Sequence, residues 1–154
     1  MKGEVSHELE VNVPAGQAWE LYSTNELAKL AEKEVEHIEK IELEGDGGVG
    51  TIAHLIFAPG TPGVSSYKEK FTKVDDEKRV KETEGIEGGY MDLGFTLFRA
   101  IFEIIEKGND SCIIKSTIQY EVKEEAAANV QYVSIQPLAN IAEIAKNYLI
   151  KNKA

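Results

Sequence analysis

Hydrophobic and polar residues alternate strictly near the start of the chain. From Val5 to Val13, valine, leucine and one histidine, His7, occupy every second position, with polar residues between them. A period of two is typical of a half-buried β-strand. Strand-like segments bounded by turn residues recur at 35–43, 51–57, 66–74, 79–87, 95–105 and 111–122. The pattern therefore predicts seven strands.

Other segments have the spacing of helices. The last of them, Gln136–Lys151, repeats apolar residues every three or four positions, at Leu138, Ile141, Ala142, Ala145, Tyr148 and Leu149. Two short helices, from Pro14 to about Tyr22 and from Asn25 to Lys33, are predicted after the first strand. Since the long apolar helix face must be buried, we expect an α+β fold in which a curved antiparallel sheet grips this helix.

Length, charge and cysteine content narrow the range of functions. The 154 residues fit one domain, 1–154, with a sizeable core. The net charge of −10 disfavours nucleic-acid binding and attachment to anionic membranes, because both need a basic surface. No stretch approaches the roughly 20 apolar residues of a membrane span, and the N-terminus lacks a signal-peptide core. We expect a cytoplasmic protein whose single cysteine, Cys112, is a buried packing thiol.

Two features that suggest phosphate or metal binding lack the required pattern. The glycine run at 45–50 leads into Thr51 and a strand, whereas a phosphate-binding loop ends in Gly-Lys-Ser/Thr at a helix N-terminus. His7, His37 and His54 lie on three different strands, without the short spacing of a helical metal pair. We therefore expect a flexible hairpin turn and no metal.

Charged residues at inward-facing strand positions are the more informative anomaly. Tyr67 and Phe71 give one strand an apolar face, and the period of two places Glu69 on that same face. The segment from Arg79 to Glu84 has no apolar face, so it presents polar side chains such as Lys81 to the interior. Burying an unpaired charge is costly, so either water enters or Glu69 and Lys81 lie close together. Both options imply a hollow core; the alternative is that Glu69 reaches solvent from an edge strand.

A tyrosine hydroxyl, a carboxylate and a lysine in an apolar pocket form a plausible acid–base set. Desolvation raises the pKa of a carboxylate and lowers that of a lysine, which brings both nearer to neutrality. Tyr67, Glu69 and Lys81 could therefore move protons on a bound amine, carbonyl or phenol. The pattern alone does not separate a catalyst from a carrier.

Several segments also carry a family resemblance. They are GDGGVGT at 45–51, YKEKF at 67–71, DDEKRVKE at 75–82, IEGGYMDLG at 86–94 and DSCIIKST at 110–117. Together they resemble the plant pathogenesis-related class-ten and birch-pollen-allergen superfamily, and within it the norcoclaurine and norbelladine synthases. The resemblance implies a seven-stranded antiparallel sheet wrapped around the C-terminal helix, two short helices closing one end, and a large internal cavity (a helix-grip fold). It implies no cofactor.

The resemblance also implies an activity and roles for particular residues. Norcoclaurine and norbelladine synthases condense an arylethylamine, dopamine or tyramine, with an aromatic aldehyde through an imine or iminium; the former also close a ring by a Pictet–Spengler reaction. By motif, Glu69 matches the general base, Lys81 the lysine that contacts a substrate oxygen, and Tyr67 a tyrosine that shapes the site. The family's fourth polar residue, an aspartate, falls on Ala100 by ungapped alignment. Its replacement leaves imine formation or plain binding open.

We therefore expect a condensing enzyme of plant alkaloid biosynthesis, with catalytic Tyr67, Glu69 and Lys81. The alternative is a non-catalytic pathogenesis-related-type carrier of alkaloids, flavonoids or plant hormones; a ribonuclease is disfavoured by the acidic surface. The expected partners are small aromatic amines and aldehydes or an alkaloid, without nucleic acid or membrane, in a monomer or weak homodimer. The expected substrate-binding residues lie on inward strand and helix faces: Phe71, Phe98, Ala100, Phe102, Leu138, Ile141, Ala142 and Tyr148.

Overall fold

A seven-stranded antiparallel sheet forms most of the protein. The computed structural model describes residues 1–61 and 64–153. In chain order the strands are β1 (Lys2–Val11), β2 (Ile38–Glu44), β3 (Ile52–Phe57), β4 (Ser66–Asp75), β5 (Val80–Gly88), β6 (Phe95–Gly108) and β7 (Ser111–Val122). Their spatial order is β1-β7-β6-β5-β4-β3-β2, so β1 and β2 are the edges. The predicted curved antiparallel sheet is confirmed.

Three α-helices pack on one side of this sheet, which we call its inner face. They are α1 (Ala15–Ser23), α2 (Glu26–Glu34) and α3 (Gln136–Lys151). Helix α3 contacts β1, β7, α1 and α2. Its buried stripe consists of Ala139, Ala142, Ala145 and Leu149. Small side chains in this stripe allow the helix to lie close to the sheet, so the helix-gripping arrangement follows from its sequence.

Two 3-10 helices were absent from the sequence prediction. The first, Gly89–Leu93, joins β5 to β6, and the second, Glu124–Tyr132, joins β7 to α3. The Tyr90 hydroxyl donates a hydrogen bond to the Tyr132 carbonyl oxygen at 2.8 Å, and the Asn129 side chain donates one to the Leu93 carbonyl oxygen at 2.8 Å. The two 3-10 helices therefore hold each other at one end of the sheet.

Irregular strand pairing shifts the expected side-chain faces at two places. A register shift between Phe71 and Lys73 in the β4–β5 pair leaves Lys73 exposed, while Val74 packs against the core. Strict alternation from Tyr67 would place Lys73 on the inner face, and the register shift places Val74 there instead. Strand β2 begins at Ile38, three residues later than Val35, where the prediction began it, and its shift in register lies between Ile38 and Lys40.

The predicted hairpin at the glycine run is confirmed. Gly45, Gly47 and Gly50 have positive φ angles, which glycine adopts without a steric penalty. The Thr51 hydroxyl, in a side chain that is 2% exposed, accepts a hydrogen bond from the Gly47 N–H at 2.9 Å. Cys112 is fully buried and free, as predicted. The predicted loop at 58–63 extends into residues 62 and 63, which lie outside the described range.

Candidate functional site

Strands β4 and β5 bring the predicted acid–base residues onto the inner face. Glu69 pairs in register with Gly85, and Phe71 pairs with Thr83. On the other side of β5, Lys81 pairs with Phe102 and Thr83 with Ala100 of β6. Since alternate residues of a strand share a face, Lys81 and Thr83 point to the same side. Both are buried, at 3% and 2% exposure, so β5 presents polar groups to the interior as the sequence predicts.

The Glu69 carboxylate is held by a hydrogen bond from a neighbouring strand. The Thr83 hydroxyl donates a hydrogen bond to Glu69 Oε2 at 3.2 Å. Burial raises the pKa of the Glu69 carboxyl above its ordinary value, while the nearby Lys81 charge and the Thr83 hydrogen bond act against this rise. Glu69 nevertheless keeps accessible surface, so the group is desolvated without being sealed. Glu69 is therefore a partly accessible carboxylate on a central strand of the sheet and not a charge on an edge strand.

Lys81 is held by the end of a helix instead of by a carboxylate. Its Nζ donates a hydrogen bond to the Tyr22 carbonyl oxygen at 3.0 Å and lies 3.9 Å from the centre of the Phe71 ring. Tyr22 is in the last turn of α1, where carbonyl groups lack helical partners and the helix dipole favours a cation. The Trp19 indole donates to Asp76 Oδ1 at 2.9 Å, which fixes α1 against the β4–β5 turn.

Glu69 and Lys81 influence each other electrostatically without a direct ion pair in the described part of the chain. Burial lowers the pKa of Lys81 to about 8, and the Glu69 charge acts in the opposite direction. A carboxylate with a raised pKa beside an ammonium group with a lowered one is suited to taking and giving protons near neutral pH. Because no ion pair joins them among the described residues, the expectation that these two groups lie close together remains a prediction.

Tyr67 forms the aromatic end of the site. Burial raises the pKa of its hydroxyl, with Glu69 and Tyr90 adding to the rise, so this group is a neutral hydrogen-bond donor. Its ring lies 5.8 Å from that of Phe57. The Tyr90 ring stacks on Phe98 with centroids 4.0 Å apart and an angle of 7° between planes. Tyr90, which acts electrostatically on the Tyr67 hydroxyl, was not among the residues predicted from the sequence.

Seven of the eight predicted binding residues divide into two groups. Phe98, Ala100, Leu138 and Ile141 are partly buried and retain accessible surface. The others lie in packed surroundings: Phe71 is 3%, Phe102 7% and Ala142 0% exposed. Ala142 therefore offers no surface to a ligand in this conformation, because it belongs to the closely packed stripe of α3.

Tyr148 is a second correction to the predicted lining. Its side chain is 40% exposed, and it lies outside the buried stripe of α3. Tyr148 precedes Leu149 and is rotated from it by roughly 100° around the helix axis, which carries Tyr148 away from the inner face. The spacing of three and four was therefore correct for Leu149 and misleading for Tyr148.

The hydrogen-bond partners of Glu69 and Lys81 were not predicted from the sequence. Thr83 binds Glu69, and the Tyr22 backbone carbonyl binds Lys81. The only sequence signal for Thr83 was its position two residues after Lys81 on a strand. A backbone carbonyl carries no signal in the residue type at all.

Two open pockets of the surface lie away from these residues. They have volumes of about 610 and 460 Å³ and lie along β2 and β3, and neither is lined by Tyr67, Glu69 or Lys81. Within residues 1–61 and 64–153, no group of three or more His, Cys, Asp or Glu side chains is arranged to hold a metal ion. No helix in this range is long and apolar enough to cross a membrane.

A sheet wrapped on a long helix, with a partly accessible carboxylate and a buried lysine on its inner face, defines a helix-grip protein with an interior polar site. The chain belongs to the pathogenesis-related protein Bet v 1 family, whose model matches residues 1–152. The family predicted from the sequence motifs is confirmed.

Relatives within this family include enzymes. The chain is 48% identical to norbelladine synthase of Narcissus pseudonarcissus, with 100% of this chain and 96% of the relative covered. It is 41% identical to S-norcoclaurine synthase of Thalictrum flavum subsp. glaucum, with 97% of this chain and 72% of the relative covered. The solved structure of the Thalictrum flavum enzyme in complex with dopamine and hydroxybenzaldehyde has a TM-score of 0.91 at 38% identity, covering 100% of this chain and 90% of that one.

Proposed function

We propose that this protein is a condensing enzyme that joins an arylethylamine, tyramine or dopamine, to an aromatic aldehyde through an imine or iminium. The single observation that carries the proposal is the pair formed by Glu69 and Lys81. Both are desolvated on the inner face, and each is anchored by a neutral group rather than by the other. An ion pair locked at short range would hold its protons, whereas this arrangement leaves both groups able to act on a substrate.

The geometry supports a division of labour between the two groups. An amine attacks a carbonyl carbon only as the free base, so the Glu69 carboxylate takes a proton from the substrate ammonium. Lys81 donates a hydrogen bond to the aldehyde oxygen and stabilises the negative charge that develops there. Attack forms the C–N bond of a carbinolamine. The proton held by Glu69 then goes to the carbinolamine hydroxyl, which leaves as water and yields the iminium.

Tyr67 and the residue at position 100 bear on the fate of the iminium. The Tyr67 hydroxyl stays neutral and donates a hydrogen bond to a substrate oxygen. Ring closure needs a further proton transfer from the aromatic carbon, which Glu69 would have to accept alone because Ala100 stands where the resemblance implies an aspartate. We therefore infer that the imine or iminium is the main product and that ring closure is slow.

A product assay tests this function. Tyramine or dopamine is incubated with 3,4-dihydroxybenzaldehyde or 4-hydroxyphenylacetaldehyde, and products are followed by chiral chromatography against a no-enzyme control. The wild type should accelerate imine formation, and Glu69→Gln and Lys81→Met should each lower kcat/KM by about 100-fold or more, because each removes one proton-transfer or charge-stabilising group.

Lys68 and Glu87 provide matched control variants. They form a surface ion pair at 3.3 Å on the same two strands, β4 and β5. Lys68→Met and Glu87→Gln make the same chemical changes away from the site, so their rates should equal that of the wild type. Wild-type rates at the background level, or unchanged rates in Glu69→Gln, would contradict the proposed enzyme.

Ala100 favours one competing function, a carrier that binds alkaloids, flavonoids or plant hormones without changing them. A carrier would show saturable binding of the same amines or of their products by calorimetry, with no acceleration of any aldehyde condensation.

We also propose, as the sequence leads us to expect, that the protein is cytoplasmic and is a monomer or weak dimer. The fully buried free thiol of Cys112 is compatible with a reducing compartment.

A further inference from the structure

Thr83 is a polar residue of the inner face. It is uncharged and lies outside the motifs that carry the family resemblance, so the sequence analysis did not identify it. It lies on β5, two residues after Lys81, and pairs in register with Phe71 on one side and Ala100 on the other. Only 2% of its surface is exposed. A buried hydroxyl among such neighbours is stable only where it finds a partner, and its partner here is Glu69.

The hydrogen bond distinguishes the two oxygens of the Glu69 carboxylate. An ionised carboxylate only accepts, so the Thr83 hydroxyl is the donor and Oε2 the acceptor, at 3.2 Å. Within residues 1–61 and 64–153, Glu69 Oε1 has no hydrogen-bond partner, yet it is not among the sealed side-chain atoms that lack one. Oε1 therefore keeps accessible surface and is the oxygen left without a partner among these residues.

We propose that Thr83 is a positioning residue for Glu69: its hydroxyl holds Oε2, so that Oε1 is the oxygen that takes the proton from the amine substrate and returns it. This inference rests on the proposed function of the same site. A carboxylate fixed at one oxygen loses rotational freedom about its terminal bond, and the free oxygen keeps a constant direction toward the substrate. Threonine also suits both protonation states, because Oε2 remains an acceptor for its hydroxyl when the proton is on Oε1.

The surroundings of Glu69 identify what else acts on its charge. The charged group that acts on it among the described residues is Lys81 from β5, and Glu69 in turn raises the pKa of the Tyr67 hydroxyl on its own strand. On the β3 side its register partner is Ala53, which is not titratable. Lys81 and the Thr83 hydrogen bond both lower the pKa of the Glu69 carboxyl against the effect of burial. Removing the hydroxyl should therefore leave Glu69 protonated up to a higher pH.

The test replaces Thr83 by residues of similar size. Thr83→Val keeps the shape and removes the hydroxyl, whereas Thr83→Ser keeps the hydroxyl. In the ligand-free protein labelled with ¹³C-glutamate, the pKa of Glu69 is measured by NMR, with its signal assigned from Glu69→Gln. We expect Thr83→Val to raise this pKa by about one unit, since a hydrogen bond to the charged form favours ionisation, and Thr83→Ser to restore it.

The same variants predict a change in the pH profile of catalysis. The acid limb of kcat/KM should move to higher pH in Thr83→Val by the amount that NMR gives for Glu69, and return in Thr83→Ser. Thr72→Val is the matched control: the Thr72 hydroxyl on β4 donates to the Glu82 carbonyl oxygen at 3.3 Å and does not touch Glu69. It should leave both the Glu69 pKa and the acid limb where they are.

The outcomes separate this inference from the proposed function. An unchanged Glu69 pKa in Thr83→Val overturns the inference, whether or not the protein is an enzyme. A wild type without activity overturns the proposed function alone, because the NMR titration needs no substrate. If Thr83→Val fails to fold, Thr83→Ala is titrated instead, and an unchanged pKa in it would overturn the inference equally.

Discussion

At the scale of single residues, Lys81 is the clearest case of a group held away from its ordinary ionisation. Its ammonium has the Tyr22 carbonyl oxygen and the Phe71 ring as partners, and these compensate only part of the hydration it loses. The pKa of Lys81 accordingly falls from 10.5 to about 8. A cation that readily gives up a proton is useful next to a substrate, and the fold accepts a loss of stability to keep it there.

That loss predicts a dependence of stability on pH. Because the pKa of Lys81 is about 8 in the folded chain and near 10.5 in the unfolded one, the unfolded state binds more protons between these values. Stability should therefore rise with pH across this window, by up to about 3 kcal/mol. Lys81→Met should lack this rise. Urea unfolding of both proteins from pH 7 to 10.5 measures the difference, and parallel curves would contradict the buried charge.

The same residues show what could be predicted from the sequence and what could not. Glu69 and Lys81 were found because charges occupied positions where the period of two required inward side chains. The bond from Thr83 to Glu69 was not found, since a register shift between Lys68 and Glu69 decides which residues face each other across β4 and β5. Register shifts of this kind depend on the neighbouring strand, which a single segment does not encode.

At the scale of elements, regular segments were predicted well and short ones were missed. The bounds of β7 and α3 agree with the prediction, because both have long, unbroken periodicity. The two 3-10 helices were overlooked because segments of 5 and 9 residues without a 3.6-residue stripe resemble loops. Yet the first of them contacts β4, β5 and β6, and its Tyr90 ring stacks on Phe98.

Gly94 is the residue on which the packing of these two 3-10 helices depends. It has a φ of 90°, and a Cβ at this position would clash with the Cβ of Ala126 in the second 3-10 helix. Gly94→Ala should therefore lower the unfolding free energy by about 1–3 kcal/mol, from backbone strain and from displacement of that helix. Differential scanning calorimetry should show a fall in Tm of several degrees.

Gly108 offers the control for this prediction. A Cβ built there meets nothing within 4 Å, and its φ is not in the left-handed region. Gly108→Ala should leave Tm almost unchanged. Equal effects of the two substitutions would mean that the contact between Gly94 and Ala126 does not hold the 3-10 helices together.

At the scale of the whole molecule, charge and interior chemistry act on the same substrate. The net charge of −10 surrounds the protein with a negative potential. An arylethylamine is a cation at neutral pH, whereas an aromatic aldehyde is neutral. Under the proposed function, the potential therefore concentrates the amine near the protein and leaves the aldehyde unaffected, before the proton transfer assigned to Glu69 in that proposal.

The salt dependence of the kinetic constants tests whether the surface potential acts on the amine and not on the aldehyde. Mobile ions shorten the range of the potential from about 30 Å at 0.01 M to about 8 Å at 0.15 M, so the KM for dopamine should rise by about two- to three-fold over that range. The KM for 3,4-dihydroxybenzaldehyde should stay constant, and so should kcat, because the desolvated interior is screened far less. Initial rates with each substrate varied at saturation of the other measure these constants. If both KM values rose together, salt would be acting on the fold or on the site itself, and the surface charge would have no part in selecting the amine.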